Sequence, residues 1–499
     1  MNVPLLGGAI SPVTLTSGTQ IPDLKPDEQN TLDKLIRQYM KKLARNKIRQ
    51  TYYDSKNLIK DLGIAIPPEM VNIEMVLGWP AKAVDGLARR NKMDGFVIPG
   101  GSSLEMGIDS MWNANDMDIE APQAHTSAYI HSCAFVATTK GDVASGEPDV
   151  LITTRSAMSG TALWDRRRRR LSAHLAIVDT SEDGTPTVLM MYLPDVVITM
   201  TRFTLGWKVE RRKHSLGRLP VELLVHKPNL ERPFGASRIS RPVMGLADAA
   251  LRTAVRMEVS AEFYSSPQRW IMGADESMFM DAEGNLKTQW QAIMGRLWAA
   301  GRTEEGDLPE VGTFAAASPQ PHSDQLRTLA TQFSGETSIP VGSLGVIQEN
   351  ASSAEAIHAM KEDLLIEAEY CNQVFGTTWV RAILTGLQIR ENRDVIPDDW
   401  RRLRTKWRNP ATMSQSSAGD FALKIIQAYP KLQESAVGLE MMGWDETTVA
   451  RAMEDMRKAS LAGRVDGILN AARQVGDPNV IEMASRRTPA EDIPDAPAQ

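Results

Sequence analysis

The segment from Pro242 to about Tyr264 constrains the fold most, because its apolar positions repeat at spacings of four and three residues along its whole length. The side chains in this stripe are mostly small: Val243, Ala247, Ala250, Ala254, Met257, Ala261 and Tyr264. A seven-residue repeat predicts a helix, and small side chains let a second helix approach closely. We therefore expect this helix to pack against another one, either in its own chain or in a neighbouring subunit.

Helical periodicity also appears on both sides of this segment and predicts helices over about 27–60, 81–91, 324–333, 352–388, 417–429 and 446–472. Gly376, followed by Thr377 and Thr378, suggests a kink in the longest of them. Between His125 and Lys227 the period changes to two, and Asp183 with Gly184 predicts a β-hairpin. The expected fold class is α+β, with one β-rich subdomain.

The stretch SIPVGSLGVIQENASSAEAIHAM, residues 338–360, separates two of the predicted helices. Pro340, Gly342 and Gly345 interrupt the first, and Ser352 with Glu355 forms a capping box that begins the second. We expect a small, flexible and nearly uncharged loop between them.

Composition limits the classes of protein that fit. The 499 residues are 42% hydrophobic and 24% charged, as in ordinary globular proteins. There is no membrane-spanning apolar run, and the N-terminus lacks the basic flank of a signal peptide. Cys133 and Cys371 are the only cysteines, which favours a reducing cytoplasm. A net charge of −6 argues against a protein that grips nucleic acid, but not against one that lets it pass.

The common catalytic signatures are missing from the sequence. It contains no P-loop, no G-x-S-x-G, no H-E-x-x-H and no C-x-x-C motif. We therefore expect a chain built for assembly rather than catalysis, with no cofactor.

One acidic group contains side chains that bind metals. Asp116, Asp118 and Glu120 would share one face of a strand and could hold a divalent ion. An exposed acidic strand or loop is the commoner explanation of such a pattern.

A second group lies on the next predicted strand. His125, His131 and Cys133 would face the same side and supply two or three zinc ligands. A closed zinc site needs four ligands, so a histidine and a buried cysteine on a strand face are the commoner explanation.

The densest charge run is DRRRRRL, with Arg166 to Arg170. It could contact phosphate, but a solvated strand edge or turn, or ion pairs with an adjacent subunit, is favoured because no aromatic residues accompany it.

The order of these features resembles that of bacteriophage portal proteins, particularly those of long-tailed phages of actinobacterial hosts. The matching stretches are TYYDSKNLIKDLGIAIPPEM (51–70), GWPAKAVDGLARRNKMDGF (78–96), SPQRWIMGADESMF (266–279), SIPVGSLGV (338–346) and SAVGLEMMGWDETTVARAM (435–453). Together they cover most of the chain from about residue 25 to 470.

The resemblance implies a portal fold with a β-containing wing, a helical stem, a small α/β clip, a long kinked helix and a helical crown. Its expected parts are an N-terminal arm (1–24), wing (25–241), first stem helix (242–264), clip (265–322), second stem helix (323–337), tunnel loop (338–351), long wing helix and return strand (352–409), crown (410–475) and disordered tail (476–499).

The resemblance also implies residue roles. The tunnel loop would line the DNA channel with Val341, Gly342, Ser343, Leu344, Gly345, Gln348, Glu349 and Asn350. The clip interface would use Trp270, Trp290 and Trp298, whose alternative role is the core of the clip itself. Ala247, Ala250, Ala254, Met257 and Ala261 would pack the stem helices of adjacent subunits.

The implied assembly is a twelve-subunit ring at one capsid vertex, made in the host cytoplasm and kept in the virion. Its partners would be the terminase large subunit, the head–tail connector or adaptor, the major capsid and scaffolding proteins, and double-stranded DNA passing through the channel, with no membrane involved.

Three alternatives remain open at this level. One is another head–tail structural component. The second is a metal-dependent DNA-processing enzyme that uses Asp116, Asp118 and Glu120. The third is a soluble multidomain binding protein without a viral role.

Overall fold

The computed structural model describes residues 20–57, 75–99, 106–204, 206–265, 269–273, 310–313, 318–346, 354–411, 415–444 and 446–475. The chain divides into two compact units, residues 1–410 and 411–499. It combines helices with antiparallel sheets, in agreement with the expected α+β class.

The described helices are α1 (Pro26–Tyr53), α2 (Trp79–Ala88), α3 (Ile108–Asn113), α4 (Met117–His131), α5 (Arg241–Ser265), α6 (Gln320–Thr337), α7 (Ala354–Arg390), α8 (Gln415–Ala428), α9 (Ala436–Met441) and α10 (Glu446–Val475). The described strands are β1 (Met93–Val97), β2 (Cys133–Lys140), β3 (Val150–Ser156), β4 (Gly160–Asp165), β5 (Arg170–Thr180), β6 (Pro186–Tyr192), β7 (Val196–Phe203), β8 (Gly206–Lys213), β9 (Val221–Val225), β10 (Arg269–Met272), β11 (Glu310–Thr313) and β12 (Arg404–Trp407).

Two sheets form the β-rich part of the first unit. Strands β4 to β8 make a five-stranded meander in chain order, and the three-stranded sheet has the order β3-β2-β9. Two separate pairs, β1 with β12 and β10 with β11, join segments far apart in sequence. The predicted hairpin at Asp183 and Gly184 is confirmed, since it joins β5 to β6 and Gly184 has a φ of +78°.

The two sheets pack in layers through the apolar side chains that alternate along their strands. Helix α1 covers one face of the meander with Leu32, Leu35, Ile36, Tyr39 and Leu43. The other face of the meander meets the three-stranded sheet, where Phe135 and Val221 are buried. Helices α4 and α7 cover the far side of that smaller sheet. The order of layers is therefore helix, sheet, sheet, helices.

The strand predicted around Asp116 to His131 is wrong, because this segment is the helix α4. Its buried residues Met117, Ala121, Ala124 and Ala128 recur at spacings of four and three, so they lie along one side of the helix. Ile119 on the exposed side and His125 on the buried side blur this stripe, so hydrophobicity alone does not reveal the helix.

Helices α5 and α6 pack against each other, as the stripe of small residues predicts. Val243 and Ala250 of α5 belong to the same buried core as Ala330 and Phe333 of α6. Ala247, Ala250 and Ala254 are buried within their own chain, and their packing against an adjacent subunit stays a prediction.

The other two residues of that prediction lie farther along α5. Met257 is half-buried and receives a hydrogen bond from Ser323 Oγ of α6 at 3.9 Å, whereas Ala261 is exposed. Contacts with a neighbouring subunit stay a prediction for these two positions.

Helix α7 continues without a break through Gly376, the position of the predicted kink. A Cβ at Gly376 would lie 2.4 Å from Thr405 Oγ1 and 3.1 Å from Trp407 Nε1 on β12. Glycine therefore allows the long helix and this strand to approach closely.

The second unit contains α8, α9 and α10. Ser435 Oγ caps α9 by accepting a hydrogen bond from the Gly438 amide at 3.2 Å. The short helix α9 was not predicted. Among the described residues, no helix combines the length and the apolar character needed to cross a membrane.

Candidate channel segment and its anchor

The segment after α6 begins with a turn that packs into the core. Ser338 ends α6 in the left-handed region, with φ +55°, and Val341–Leu344 form one 3-10 turn. Gly342 and Ser343 are exposed, while Val341 and Leu344 are buried in the main core. This half of the expected flexible loop is therefore held to the core by Val341 and Leu344, and the channel roles of these two residues stay predictions.

Helix α2 anchors this turn. Trp79 Nε1 donates a hydrogen bond to the Leu344 carbonyl at 3.2 Å, and the Trp79 ring lies 5.4 Å from that of Phe333. A Cβ on Gly86 would lie 2.5 Å from Ile339 Cδ1, so this side of α2 is in close contact with the start of the segment. Gly345 then leaves the turn with φ +84° and open space around it.

A buried arginine fixes the geometry at the end of α6. The Arg238 guanidinium donates to the carbonyls of Ala83 in α2 and Thr337 in α6, and to the Glu367 carboxylate in α7. Its side chain is 3% exposed. One side chain therefore connects α2, α6 and α7 immediately before the candidate channel segment.

Glu367 is the acidic centre of this cluster. Its carboxylate also pairs with Lys227 Nζ at 2.7 Å and lies 3.6 Å from His226 Nε2. Burial acts to raise the pKa of Glu367, but His226, Arg238 and Lys227 together hold it well below its usual range. Burial lowers the pKa of His226. The carboxylate therefore stays charged and holds the arginine in place.

The Tyr-Tyr pair at the end of α1 adds two connections. Tyr52 Oη donates to Asp248 Oδ2 of α5 at 2.7 Å, and Tyr53 Oη donates to Asp85 Oδ1 of α2 at 3.0 Å. Asn57 Nδ2 reaches the other oxygen of Asp248 at 3.1 Å. The Tyr-Tyr pair belongs to one of the stretches that resemble portal proteins. It connects the end of α1 to the first part of α5 and to α2.

The remaining predicted site residues are only partly described. Gln348, Glu349 and Asn350 lie outside the described residues, as do Trp290 and Trp298. Trp270 lies on β10, half-buried, opposite Gly312 of β11. A Cβ on Gly312 would come within 2.3 Å of the Trp270 ring, so this ring packs across its own strand pair.

The three candidate metal carboxylates serve separate structural roles. Asp116 precedes α4 with φ +50°, Asp118 accepts from Trp112 Nε1 at 2.8 Å, and Glu120 accepts from Thr154 Oγ1 at 2.6 Å. Because α4 is a helix, they do not form the shared strand face that was predicted. No group of three or more His, Cys, Asp or Glu side chains in the described part of the chain could hold a metal ion.

The candidate zinc ligands are core residues of a helix and a strand. His125 stacks on Phe375 at 4.8 Å, its Nε2 accepts from Trp379 Nε1 at 2.9 Å, and burial lowers its pKa to about 3. Burial likewise lowers the pKa of His131 to about 4 and raises that of the Cys133 thiol to about 12. The burial of these three side chains supports the commoner explanation, in which they are packing residues of the core.

The arginine run forms the turn between β4 and β5, in agreement with the turn interpretation. Asp165 Oδ1 accepts hydrogen bonds from the amides of Arg167 and Arg168 at 2.9 and 3.0 Å, and Arg169 has φ +52°. These amides and the neighbouring arginines lower the pKa of Asp165. The turn therefore holds its exposed arginines on a fixed backbone.

Comparisons with known proteins agree with this arrangement. A family model described as "Phage portal protein, SPP1 Gp6-like" matches residues 32–439. The portal protein of Mycobacterium phage L5 is 28% identical over 422 residues, which cover 81% of this chain and 85% of the relative. That of Mycobacterium phage D29 is 28% identical over 382 residues, which cover 75% and 77%.

One solved structure, described as "Neck of native GTA particle computed with C12 symmetry", aligns with 73% of this chain and 89% of its own. Its TM-score of 0.37 and 11% identity are too low to support an inference about fold or assembly. The family match runs from within α1 to within α9 and includes both helices of the α5–α6 pair and the anchored turn. This chain belongs to the phage portal protein family.

Proposed function

We propose that this chain forms a ring at one capsid vertex and is the conduit through which double-stranded DNA enters during packaging and leaves during ejection. The observation that carries the proposal is the family match over residues 32–439. The role is structural: a separate ATP-driven terminase moves the DNA, and the ring guides it and docks other proteins. The proposed docking partners are the terminase large subunit, the head–tail connector, and the major capsid and scaffolding proteins.

The helix pair α5–α6 and its connections fit the stem and clip of such a ring. We assign the stem to 242–264 and 323–337, and the clip to 265–322, which contains the strand pair β10–β11. The wing comprises 1–241 with the long helix and return strand of 352–409. The crown corresponds to 410–475, and 476–499 follows as a tail.

In this proposal, fewer residues face the channel than the whole segment 338–351 contains. Gly342, Ser343 and Gly345 are exposed and uncharged, whereas Val341 and Leu344 anchor the loop to the core. Basic side chains at such a place would pair with phosphates and retain the DNA. The net charge of −6 for each subunit also makes any ring of this chain repel DNA on average.

A phage in which this gene carries an amber codon tests the proposal in its biological setting. In a non-suppressing host we expect capsid shells that contain no DNA, and in a suppressing host we expect gold-labelled antibodies to mark a single vertex of each particle. DNA-filled particles without the protein, or label spread over all vertices, would rule the proposal out.

A further inference from the structure

An open cleft of about 870 Å³ lies in the first unit, between the arginine turn and the long helix. One wall is the β4–β5 turn with Arg166 and Arg168, and the opposite wall is α7 with Thr378 and Arg381. The loop after β9 closes one side with Leu230, which is 95% exposed. Strand β9 itself runs along the cleft.

Strand β9 is an edge strand of the described three-stranded sheet, whose order is β3-β2-β9. The Pro220 carbonyl accepts from the Thr138 amide and the His226 amide donates to the Ser132 carbonyl, both at 2.9 Å. Because hydrogen-bonded positions alternate in an antiparallel pair, the intervening residues Val221, Leu223 and Val225 direct their backbone groups away from β2.

That outer edge borders the cleft. Val221, Leu223 and Val225 all line it, and Thr378 Oγ1 donates to the Leu223 carbonyl at 2.9 Å. No described strand pairs with this edge. The hydroxyl of Thr378, a residue that is 5% exposed, therefore holds this carbonyl, and an added strand would have to displace it.

The side chains around the edge combine an apolar floor with a basic rim. The apolar residues include Trp164, Leu171, Leu219 and Val374. The basic residues are Arg166, Arg168, Arg169, Arg170, Arg218 and Arg381. The carboxylates of the lining are Glu222 and Glu231, so positive charge is in excess.

Three of the basic residues already have partners within the chain. Arg218 donates to Thr385 and Gln388, Arg381 lies 3.9 Å from Glu222, and the exposed Arg168 lies 3.9 Å from Asp165. The arginines of the turn are exposed, and Asp165 fixes their backbone. They supply the positive charge available to a bound molecule.

We propose that an extended acidic segment of a partner protein binds in this cleft as an additional strand beside β9. Its backbone would pair with the outer edge of β9, its apolar side chains would contact the floor, and its carboxylates would meet the arginines. Duplex DNA fits less well, because its phosphates lie on a convex surface that offers nothing to a strand edge or an apolar floor. This interaction goes beyond the proposed conduit and does not depend on the number of subunits.

A direct test is fluorescence anisotropy with the full-length protein as purified and a labelled decapeptide of alternating glutamate and valine. We expect saturable binding that weakens with salt, and no binding of the lysine–valine analogue. N-methylation of the alternate amides along one edge of the peptide should abolish binding, whereas methylation along the other edge should have little effect.

The arginine turn is tested with the triple variant R166E, R168E and R169E. We expect it to lower the affinity at least tenfold. The matched control is K34E, R37E and K41E on the exposed side of α1, which makes the same change in charge and should leave the affinity within twofold. If the first variant does not fold, as judged by circular dichroism, Arg168→Gln should still weaken binding measurably.

Three results would overturn the inference: no binding of the acidic peptide, equal effects of the two methylation patterns, or displacement of the peptide by a short DNA duplex of the same charge. Ring formation is measured separately on the same samples. Rings that do not bind the peptide would refute the cleft and leave the proposed conduit standing.

Discussion

At the residue scale, the side chain that organises the candidate channel segment could not have been found from sequence. Arg238 contacts Ala83, Thr337 and Glu367, which are 155, 99 and 129 positions away along the chain. No local spacing connects these residues, and an arginine three residues before a helix has no distinctive pattern. By contrast, the turn at Arg166 to Arg170 was predictable, because charge density and strand ends are local properties.

We predict that Arg238→Met strongly destabilises the first unit. The substitution leaves the Glu367 carboxylate and two carbonyl groups without their buried partner, which should cost about 3–5 kcal/mol. The loss should appear as a lower melting temperature, measured at the same protein concentration as the wild type.

The matched control is Lys227→Met. Lys227 pairs with the same carboxylate, but its side chain is 53% exposed, so its removal should cost less than about 1 kcal/mol. Equal losses for the two variants would contradict the central role of Arg238.

At the element scale, the segments whose hydrophobic residues lie clearly on one side were predictable, and those with a blurred pattern or long-range contacts were not. The stripe in α5 and the alternation in β5 to β7 each leave one face polar enough to reveal the period. Helix α4 is buried along one side, but the exposed Ile119 and the buried His125 blur its pattern, and the sequence predicts a strand there instead. At Val341–Leu344 the sequence predicts only a flexible loop, because the turn found there depends on a contact with Trp79 of α2.

Gly376 offers a test of how closely α7 and β12 pack. We predict that Gly376→Ala destabilises the protein by about 1–3 kcal/mol, because the added methyl group would overlap Thr405 Oγ1. Thermal unfolding of the purified variant measures the effect.

Gly335→Ala is the control, because it makes the same gain in helix propensity without the steric contact. Gly335 is exposed in α6, and a Cβ there would meet nothing within 4 Å. Alanine should therefore stabilise this helix by about 0.5–1 kcal/mol. If both variants gained stability, the close contact at Gly376 would be refuted.

At the scale of the whole molecule, the first unit places four layers beside a helix pair, and the anchored turn lies where α6 meets α2 and α7. The α+β class and the helix pair followed from periodicity in the sequence. The assignment of 410–475 as a crown rests on the family alone, because the packing of α8 to α10 carries no local signature of assembly.

The central claim is that identical copies of this chain close into a ring. Native mass spectrometry of the purified full-length protein, with negative-stain images of the same sample, tests it most directly. The account predicts closed rings of about twelve subunits with a central hole, because a head-to-tail contact that closes produces cyclic symmetry. Monomers, or particles with only two-fold symmetry, across the micromolar range would contradict it.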